Sequence, residues 1–108
     1  MDLDGQFKYK FLMSNRLTLP EHFKKRYKER VSKSSLHRLD FVKEAYRYGS
    51  DAESLNDNNL RRFLTKKSSH GSTCKIYKGF VFWFIRDTAM TVYPISTVAR
   101  LTRSSIND

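Results

Sequence analysis

The sequence has a single cysteine, and it has no apolar run long enough to cross a membrane. Cys74 stands alone among the 108 residues, which excludes a disulfide framework and a metal site built from several cysteines. A spanning helix needs about 20 consecutive apolar residues. The first ten residues, MDLDGQFKYK, carry acids where a secretory signal needs cations and then an apolar stretch. We therefore expect a protein of the reducing cytoplasm that has no membrane partner.

Motifs for metal and cofactor chemistry are also missing. The chain has no glycine-rich phosphate loop and no nucleophile elbow. Its three histidines, His22, His37 and His70, have no spacing that suits a metal site, either among themselves or with the acids. The sequence thus predicts no metal and no cofactor.

Acidic residues are scarce, and the excess of positive charge is the strongest compositional signal. Aspartate and glutamate number 11 against 21 lysines and arginines, which gives a net charge of +10. Such an excess predicts attraction to polyanions, of which nucleic acid is the commonest soluble example. Hydrophobic content of 39% and aromatic content of 14% are ample for one globular domain, which we place over residues 1–108.

The apolar pattern predicts an α+β fold in the order β-α-α-(α)-β-β-β, with a helix hairpin on one face of a small antiparallel sheet. Alternation of Phe7, Tyr9 and Phe11 with lysines indicates the first strand. The first helix begins near Pro20, and the second, LHRLDFVKEAYRYG, ends at Gly49. The apolar residues expected to be buried in the second helix are Leu36, Leu39, Val42, Ala45 and Tyr46.

The middle of the chain is predicted to be a polar insertion over residues 50–72. Within it, Asp57 is expected to cap a short helix, NNLRRFLTKK. The C-terminal tail, residues 97–108, is predicted to begin as a strand or a helix and then to fray.

The segment CKIYKGFVFWFIRDTAMTVYPI predicts three strands joined by two-residue turns at Lys78-Gly79 and Asp87-Thr88. That register defines two faces. The first is wholly apolar and is expected to pack on the helix hairpin: Cys74, Ile76, Val81, Trp83, Ile85, Met90 and Val92. The second mixes aromatic, hydroxyl and cationic groups: Thr73, Lys75, Tyr77, Phe80, Phe82, Phe84, Arg86, Thr91 and Tyr93.

Three residues four apart in EHFKKRYKER form the first candidate site: His22, Arg26 and Arg30. Like charges at this spacing repel on a helix, so their alignment needs a reason. Arginine binds phosphate through two parallel hydrogen bonds, and histidine transfers protons near neutral pH. Composition alone favours the simpler interpretation, a solvated basic face. A phosphate beside an acid–base group is the alternative, because RNA cleavage needs both.

The mixed sheet face is the second candidate, as a surface on which unpaired bases stack. The residues predicted to bind nucleic acid are Lys75, Tyr77, Lys78, Phe82 and Arg86, with His70 in the preceding loop. Thr91 and Tyr93 offer hydroxyl groups to a phosphate. The alternative is that Phe80, Phe82 and Phe84 are covered by the C-terminal tail or by packing of the first strand, and neither interpretation is favoured.

Two segments together resemble a known family. They are H-x3-R-x3-R with a helix that ends in Gly (His22 to Gly49), and a Tyr-Lys-Gly hairpin whose last strand closes in T-V-Y. This resembles the RelE-like superfamily of small endoribonucleases, especially its BrnT-like toxin and phage RegB-like branches, over roughly residues 19–95.

The resemblance implies a metal-independent endoribonuclease that acts on single-stranded or ribosome-bound mRNA and leaves a 2′,3′-cyclic phosphate. In these terms His22 is the acid–base group, Arg26 and Arg30 bind phosphate, and Thr91 and Tyr93 contribute hydroxyls. Many relatives carry a further acid–base group on the sheet, and His70 is its only obvious substitute here. A BrnT-like toxin is ordinarily held by an acidic antitoxin. Two other hypotheses stay open: a non-catalytic nucleic-acid-binding protein, and a phage inhibitor that binds an acidic host protein.

Overall fold

The computed structural model describes residues 17–67 and 71–107, which form four α-helices, a short 3₁₀ helix (Ala52–Ser54) and a four-stranded antiparallel sheet. The helices are α1 (Glu21–Arg30), α2 (Arg38–Tyr48), α3 (Asn58–Lys67) and α4 (Ile95–Asn107). The strands, in spatial order, are β1 (Ser50–Asp51), β2 (Ser72–Tyr77), β3 (Phe80–Ile85) and β4 (Thr88–Pro94). The α+β class is confirmed. The first predicted strand, at Phe7 to Phe11, lies outside the described residues.

Helices cover both faces of the sheet, because β3 carries apolar side chains on both sides. Phe82 and Phe84 are fully buried among residues of α1 and α2, and this side is the hairpin face. Val81 is fully buried on the opposite side with residues of α3 and α4, and this side is the groove face. The prediction that the helix hairpin packs on the side of Val81 and Trp83 is therefore wrong.

The β2–β3 hairpin has the predicted turn and register. Lys78 and Gly79 occupy the turn with φ of 48° and 85°, the left-handed values that a tight hairpin turn requires at both positions. Cys74 pairs with Trp83, and Tyr77 pairs with Phe80. Glycine adopts this conformation without a steric cost, whereas Lys78 adopts it at a steric cost.

The β3–β4 hairpin differs from the prediction by one residue. Its turn is Arg86-Asp87 rather than Asp87-Thr88, and Ile85 pairs with Thr88. A register shift opposite Trp83 and Phe84 then inserts an extra residue, Met90, into β4. Such a bulge exchanges the faces of all later side chains. Val92 accordingly lies on the hairpin face opposite Phe82.

The predicted insertion and tail are both structured parts of the fold. The short helix is confirmed as α3, and Asp57 caps it by accepting hydrogen bonds from the backbone N–H groups of Asn59 and Leu60, each at 3.0 Å. Leu64 of α3 and Val98 of α4 are buried against the groove face. The polar insertion is thus the layer that covers the second side of the sheet, together with the tail.

Helix α2 begins later than predicted and buries only part of the predicted stripe. Val42 and Ala45 are fully buried, as predicted. The helix starts at Arg38, so Leu36 precedes it and is 78% exposed, while Leu39 is 44% exposed. The prediction that these two leucines are buried is wrong. Phe41 takes their place: its ring centroid lies 5.6 Å from that of Tyr77 and 5.7 Å from that of Phe82. The aromatic contacts of the hairpin face are built around this ring.

Two phenols tie α2 to the sheet. Tyr46 donates a hydrogen bond to Asp87 Oδ1 at 3.1 Å, and Tyr77 donates one to Glu44 Oε1 at 2.8 Å. Burial, together with the hydrogen bond to Asp87, raises the pKa of Tyr46 above its usual value. The hydrogen bond to Glu44 raises the pKa of Tyr77 in the same direction.

Gly49 lets the end of α2 approach β2 closely. Its φ of −62° is open to any residue, so backbone freedom does not explain the glycine. A Cβ atom here would lie 2.5 Å from the carbonyl oxygen of Ala45 and 2.8 Å from Cβ of Lys75. Both contacts are far below ordinary van der Waals distance, and neither of these atoms belongs to the far end of a flexible side chain.

We predict that Gly49→Ala lowers the free energy of unfolding by about 1–3 kcal/mol, because the added methyl group forces the backbone apart. Urea denaturation measures this. Gly79→Asn is the comparison, since a Cβ atom there meets open space and any loss comes from the φ of 85°. A loss below about 0.5 kcal/mol in Gly49→Ala would show that α2 and β2 are not in close contact.

We also predict a tyrosine-dependent loss of stability at alkaline pH. The unfolded chain releases the Tyr46 proton near pH 10, whereas the folded chain holds it to a higher pH. This contribution to stability is present below about pH 10 and is lost as the pH rises through the folded pKa. The drop in unfolding free energy between about pH 8 and about pH 10.5 should be smaller in Tyr46→Phe than in the wild type.

Tyr48→Phe is the control for this comparison, because Tyr48 is 50% exposed and lies two residues further along α2. Lysine titration affects all three proteins equally. An identical drop in the wild type and in Tyr46→Phe would contradict the prediction.

Candidate nucleic-acid interface

Helix α1 lies along the outer edge of the sheet and runs parallel to β4. The chain reaches the start of β4 at Thr18, which donates a backbone hydrogen bond to the Asp87 carbonyl at 2.7 Å and accepts one from the N–H of Ala89 at 2.9 Å. Three residues later α1 begins, and its buried side chains, Phe23 and Tyr27, join the core of the hairpin face. The last residue of the helix, Arg30, then reaches the far half of β4.

Arg30 is held at this edge by three groups of β4. Its Nη1 donates hydrogen bonds to Thr91 Oγ1 at 3.2 Å and to the Val92 carbonyl oxygen at 3.1 Å. Its guanidinium carbon lies 4.0 Å from the centroid of the Tyr93 ring, a close cation–π contact. The side chain is half-buried and thus fixed, while the planar guanidinium has donors beyond Nη1.

The bulge at Met90 is the reason that these groups meet. It places Thr91 directly opposite Trp83, on the groove face, and Tyr93 opposite Val81. The prediction that Thr91 and Tyr93 share a face with Phe82 is therefore wrong. Since α1 packs on the hairpin face, Arg30 must pass around the edge of β4 to touch Tyr93. The sheet edge thereby joins a helix-borne cation to hydroxyl groups of the opposite face.

His22 and Arg26 continue the stripe of Arg30 towards the start of α1, and both are exposed. Four residues of helix span about 6 Å, so His22 and Arg30 are separated by about 12 Å along the axis. Arg26 forms an ion pair with Glu29 at 3.1 Å. His22 makes no hydrogen bond or ion pair with the part of the chain that the structure describes. Of the five residues predicted to be catalytic, three meet at one place: Arg30, Thr91 and Tyr93.

The residues predicted to bind bases on the mixed face are engaged elsewhere. Phe82 is fully buried under α1 and α2, so its predicted stacking on a base is wrong. Tyr77 bonds to Glu44, and the ammonium of Lys75 lies 2.9 Å from the Asp51 carboxylate. Two cations lie in turns: Lys78 between β2 and β3, and Arg86 between β3 and β4 with φ of 54°. His70 lies outside the described residues.

A groove of about 580 Å³ opens on the groove face beside Thr91 and Tyr93. Its walls come from α3, α4, β2, β3 and β4, and the apolar residues among them are Phe63, Trp83, Ile85, Met90, Val98 and Leu101. Lys67, Ser72, Thr91 and Tyr93 supply polar groups. The sequence prediction missed this groove, because it treated α3 and α4 as an insertion and a tail. The apolar pair Val98 and Leu101, three residues apart, is the helical signal that was available.

Within residues 17–67 and 71–107, no three His, Cys, Asp or Glu side chains are grouped so as to hold a metal ion. None of the helices in these ranges has the length and the apolar character that crossing a bilayer requires. No model of a protein family matches the chain, and neither a curated protein nor a solved structure matches it.

We predict that Arg30→Met lowers the free energy of unfolding by about 1–2 kcal/mol, because it leaves the stem in place but removes two hydrogen bonds and the cation–π contact. Arg26→Met is the matched control on the same stripe, and its exposed ion pair predicts a loss below about 0.5 kcal/mol. Urea denaturation of both variants measures the difference. Equal losses would mean that Arg30 is not held by β4 in solution.

Proposed function

We propose that this protein binds single-stranded RNA at the outer edge of its sheet, with one phosphate at Arg30 and the strand running along α1. The observation that carries this proposal is the fixed position of Arg30 between Thr91, Val92 and Tyr93. A guanidinium that is already oriented loses little side-chain freedom when it binds an anion. Thr91 and Tyr93 add hydroxyl groups that can contact phosphate oxygens or a ribose.

The charge of α1 supports a bound strand rather than a single anion. Arg26 precedes Arg30 by one helical repeat, about 6 Å, and His22 precedes Arg26 by the same distance. Repulsion within such a stripe is relieved when each cation faces a phosphate, and counterions are released into solution. The net charge of +10 attracts polyanions at longer range.

Cleavage of the bound RNA without a metal ion is the second candidate, and the meeting of Arg30, Thr91 and Tyr93 favours it. In this reaction the ribose 2′-hydroxyl gives its proton to a base and attacks phosphorus, the bond from phosphorus to the 5′-oxygen breaks, and that oxygen takes up a proton. A 2′,3′-cyclic phosphate remains, as the resemblance to RelE-like endoribonucleases implies. Arg30 would neutralise the charge that develops on the phosphate. Tyr93 is the phenol whose ring contacts Arg30, whereas His22 lies about 12 Å from Arg30 along the helix. Tyr93 is therefore the first acid–base group to test, and His22 is the second.

The proposal places the protein in a reducing cytoplasm, in keeping with Cys74, which is a buried free thiol. The same cations would attract an acidic protein, such as an antitoxin or a host protein. Co-purification of a stoichiometric acidic protein that excludes RNA would favour this third function over the other two.

The test uses a 5′-labelled single-stranded RNA in EDTA, with binding followed by gel shift at several salt concentrations. We predict binding that weakens steeply as salt rises. Arg26→Gln should reduce the slope of log affinity against log salt by about one. Arg62→Gln is the matched control, because Arg62 is an exposed cation of α3 on the other side of the sheet, and its slope should stay near that of the wild type. RNA binding that does not depend on salt, or no binding, would contradict the proposal.

Denaturing gels of the same reactions test cleavage. Fragments that end in a cyclic phosphate and disappear in Tyr93→Phe would establish an endoribonuclease. This variant keeps the ring beneath Arg30 and removes only the hydroxyl. Intact RNA that remains tightly bound would establish the binding function alone.

A further inference from the structure

The groove beside Tyr93 has the size and the walls of a ligand site. Its volume of about 580 Å³ lies in the range of small-molecule pockets, roughly 300–1,000 Å³. Three aromatic side chains line it from different elements: Phe63 from α3, Trp83 from β3 and Tyr93 from β4. The Trp83 and Tyr93 rings are nearly perpendicular, with their centroids 6.0 Å apart. Together these side chains give the groove an aromatic lining that suits a flat ligand.

The polar groups at the groove indicate that its ligand has both hydrogen-bonding edges and negative charge. Hydroxyl groups of Ser72, Thr91 and Tyr93 lie among the apolar walls. Lys67 also lines the groove, and its ammonium lies 5.7 Å from the Phe63 centroid. Arg30 covers Tyr93 at the β4 edge. Because a hydroxyl group can both donate and accept hydrogen bonds, these groups favour a ligand with polar edges over a purely apolar one.

The rim of the groove is open to solvent. Ile85 is 45% exposed and Leu101 is 51% exposed, although both are large and apolar. Tyr93 lines the groove, and its ring also contacts the Arg30 guanidinium. A strand whose phosphate lies at Arg30 therefore has its neighbouring base within reach of the groove. Base–aromatic stacking and charge complementarity then act on the same ligand.

We propose that this groove binds one unstacked base of the RNA strand, held between Trp83, Phe63 and Tyr93, while the adjoining phosphate lies at Arg30. This inference rests on the proposed function and extends it, because it gives the protein a site that distinguishes a nucleobase from a bare chain of phosphates. Hydroxyl groups of Ser72 and Thr91 are the candidates to read the edge of the base.

Trp83 provides a direct readout, because it is the single tryptophan of the chain and lines the groove. The probes are an oligoadenylate and an abasic oligonucleotide of equal length and charge. We predict that the oligoadenylate changes Trp83 fluorescence and binds about tenfold more tightly than the abasic oligonucleotide, as expected for a stacked base. The abasic oligonucleotide should bind without a change in fluorescence.

A matched pair of variants separates the groove from general electrostatics. Leu101→Asp adds one negative charge at the rim of the groove, and Leu39→Asp adds the same charge at an equally exposed leucine of α2. We predict that Leu101→Asp abolishes both the fluorescence change and the tenfold preference, whereas Leu39→Asp keeps both. Retention of the preference in Leu101→Asp would overturn the inference.

Failure of the inference is distinguishable from failure of the proposed function. Equal, salt-sensitive binding of the two oligonucleotides, with unchanged Trp83 fluorescence, would overturn the base site and leave RNA binding in place. No binding of either oligonucleotide would overturn both. Binding of the oligoadenylate that quenches Trp83 and depends on Leu101 is the result that supports the base site.

Discussion

A strand that is apolar on both sides needs cover on both sides, and β3 imposes this constraint on the whole molecule. Its residues Phe82 and Phe84 face one way and Val81 faces the other, and all three are fully buried. Burying each such side chain contributes about 1.5–3 kcal/mol. The helix hairpin can cover only one face. The chain therefore needs α3 and α4, and the groove lies in the layer that they form.

The candidate interface depends on how two small departures from regularity combine. The bulge at Met90 turns Thr91 and Tyr93 towards the groove face, and the position of α1 beside β4 brings Arg30 to the edge of the strand. Without the bulge, the hydroxyl groups would lie on the hairpin face among buried aromatic rings. Without α1 at the edge, the cation would have no contact with Tyr93. The site is thus a property of the sheet edge and of no single motif.

The sequence predicted the elements whose signals are local. The Lys78-Gly79 turn, the Asp57 cap and α3 are specified within a few residues, because left-handed turns and side-chain caps need particular residue types. The faces of β3 could not be assigned in this way. FVFWFI is apolar at every position, so an alternation of apolar and polar residues does not show which face is buried under which helices. The predicted position of the helix hairpin, on the side of Val81 and Trp83, is wrong for this reason.

The bulge in β4 was not predicted, because the sequence of that strand also leaves its register open. In TAMTVYP, apolar and hydroxyl residues fit either register, and the turn at Arg86-Asp87 lacks the glycine that would fix its position. For the site, alignment of His22, Arg26 and Arg30 on one helix face followed from spacing alone. Contact of Arg30 with Thr91 and Tyr93 also required the edge geometry, which is a tertiary property. The groove needed the packing of α4, whose apolar residues alone do not show which surface they cover.

The contacts along β4 also cover part of the outer edge of the sheet. β4 lies at one edge of the sheet, and an open strand edge is a template for pairing with another chain and for aggregation. Here Thr18 occupies the backbone groups at Asp87 and Ala89, and Arg30 occupies the Val92 carbonyl. A peptide segment and a charged side chain thus block successive stretches of the edge. The cation at the centre of the proposed interface is thus also an obstacle to the addition of another strand at this edge.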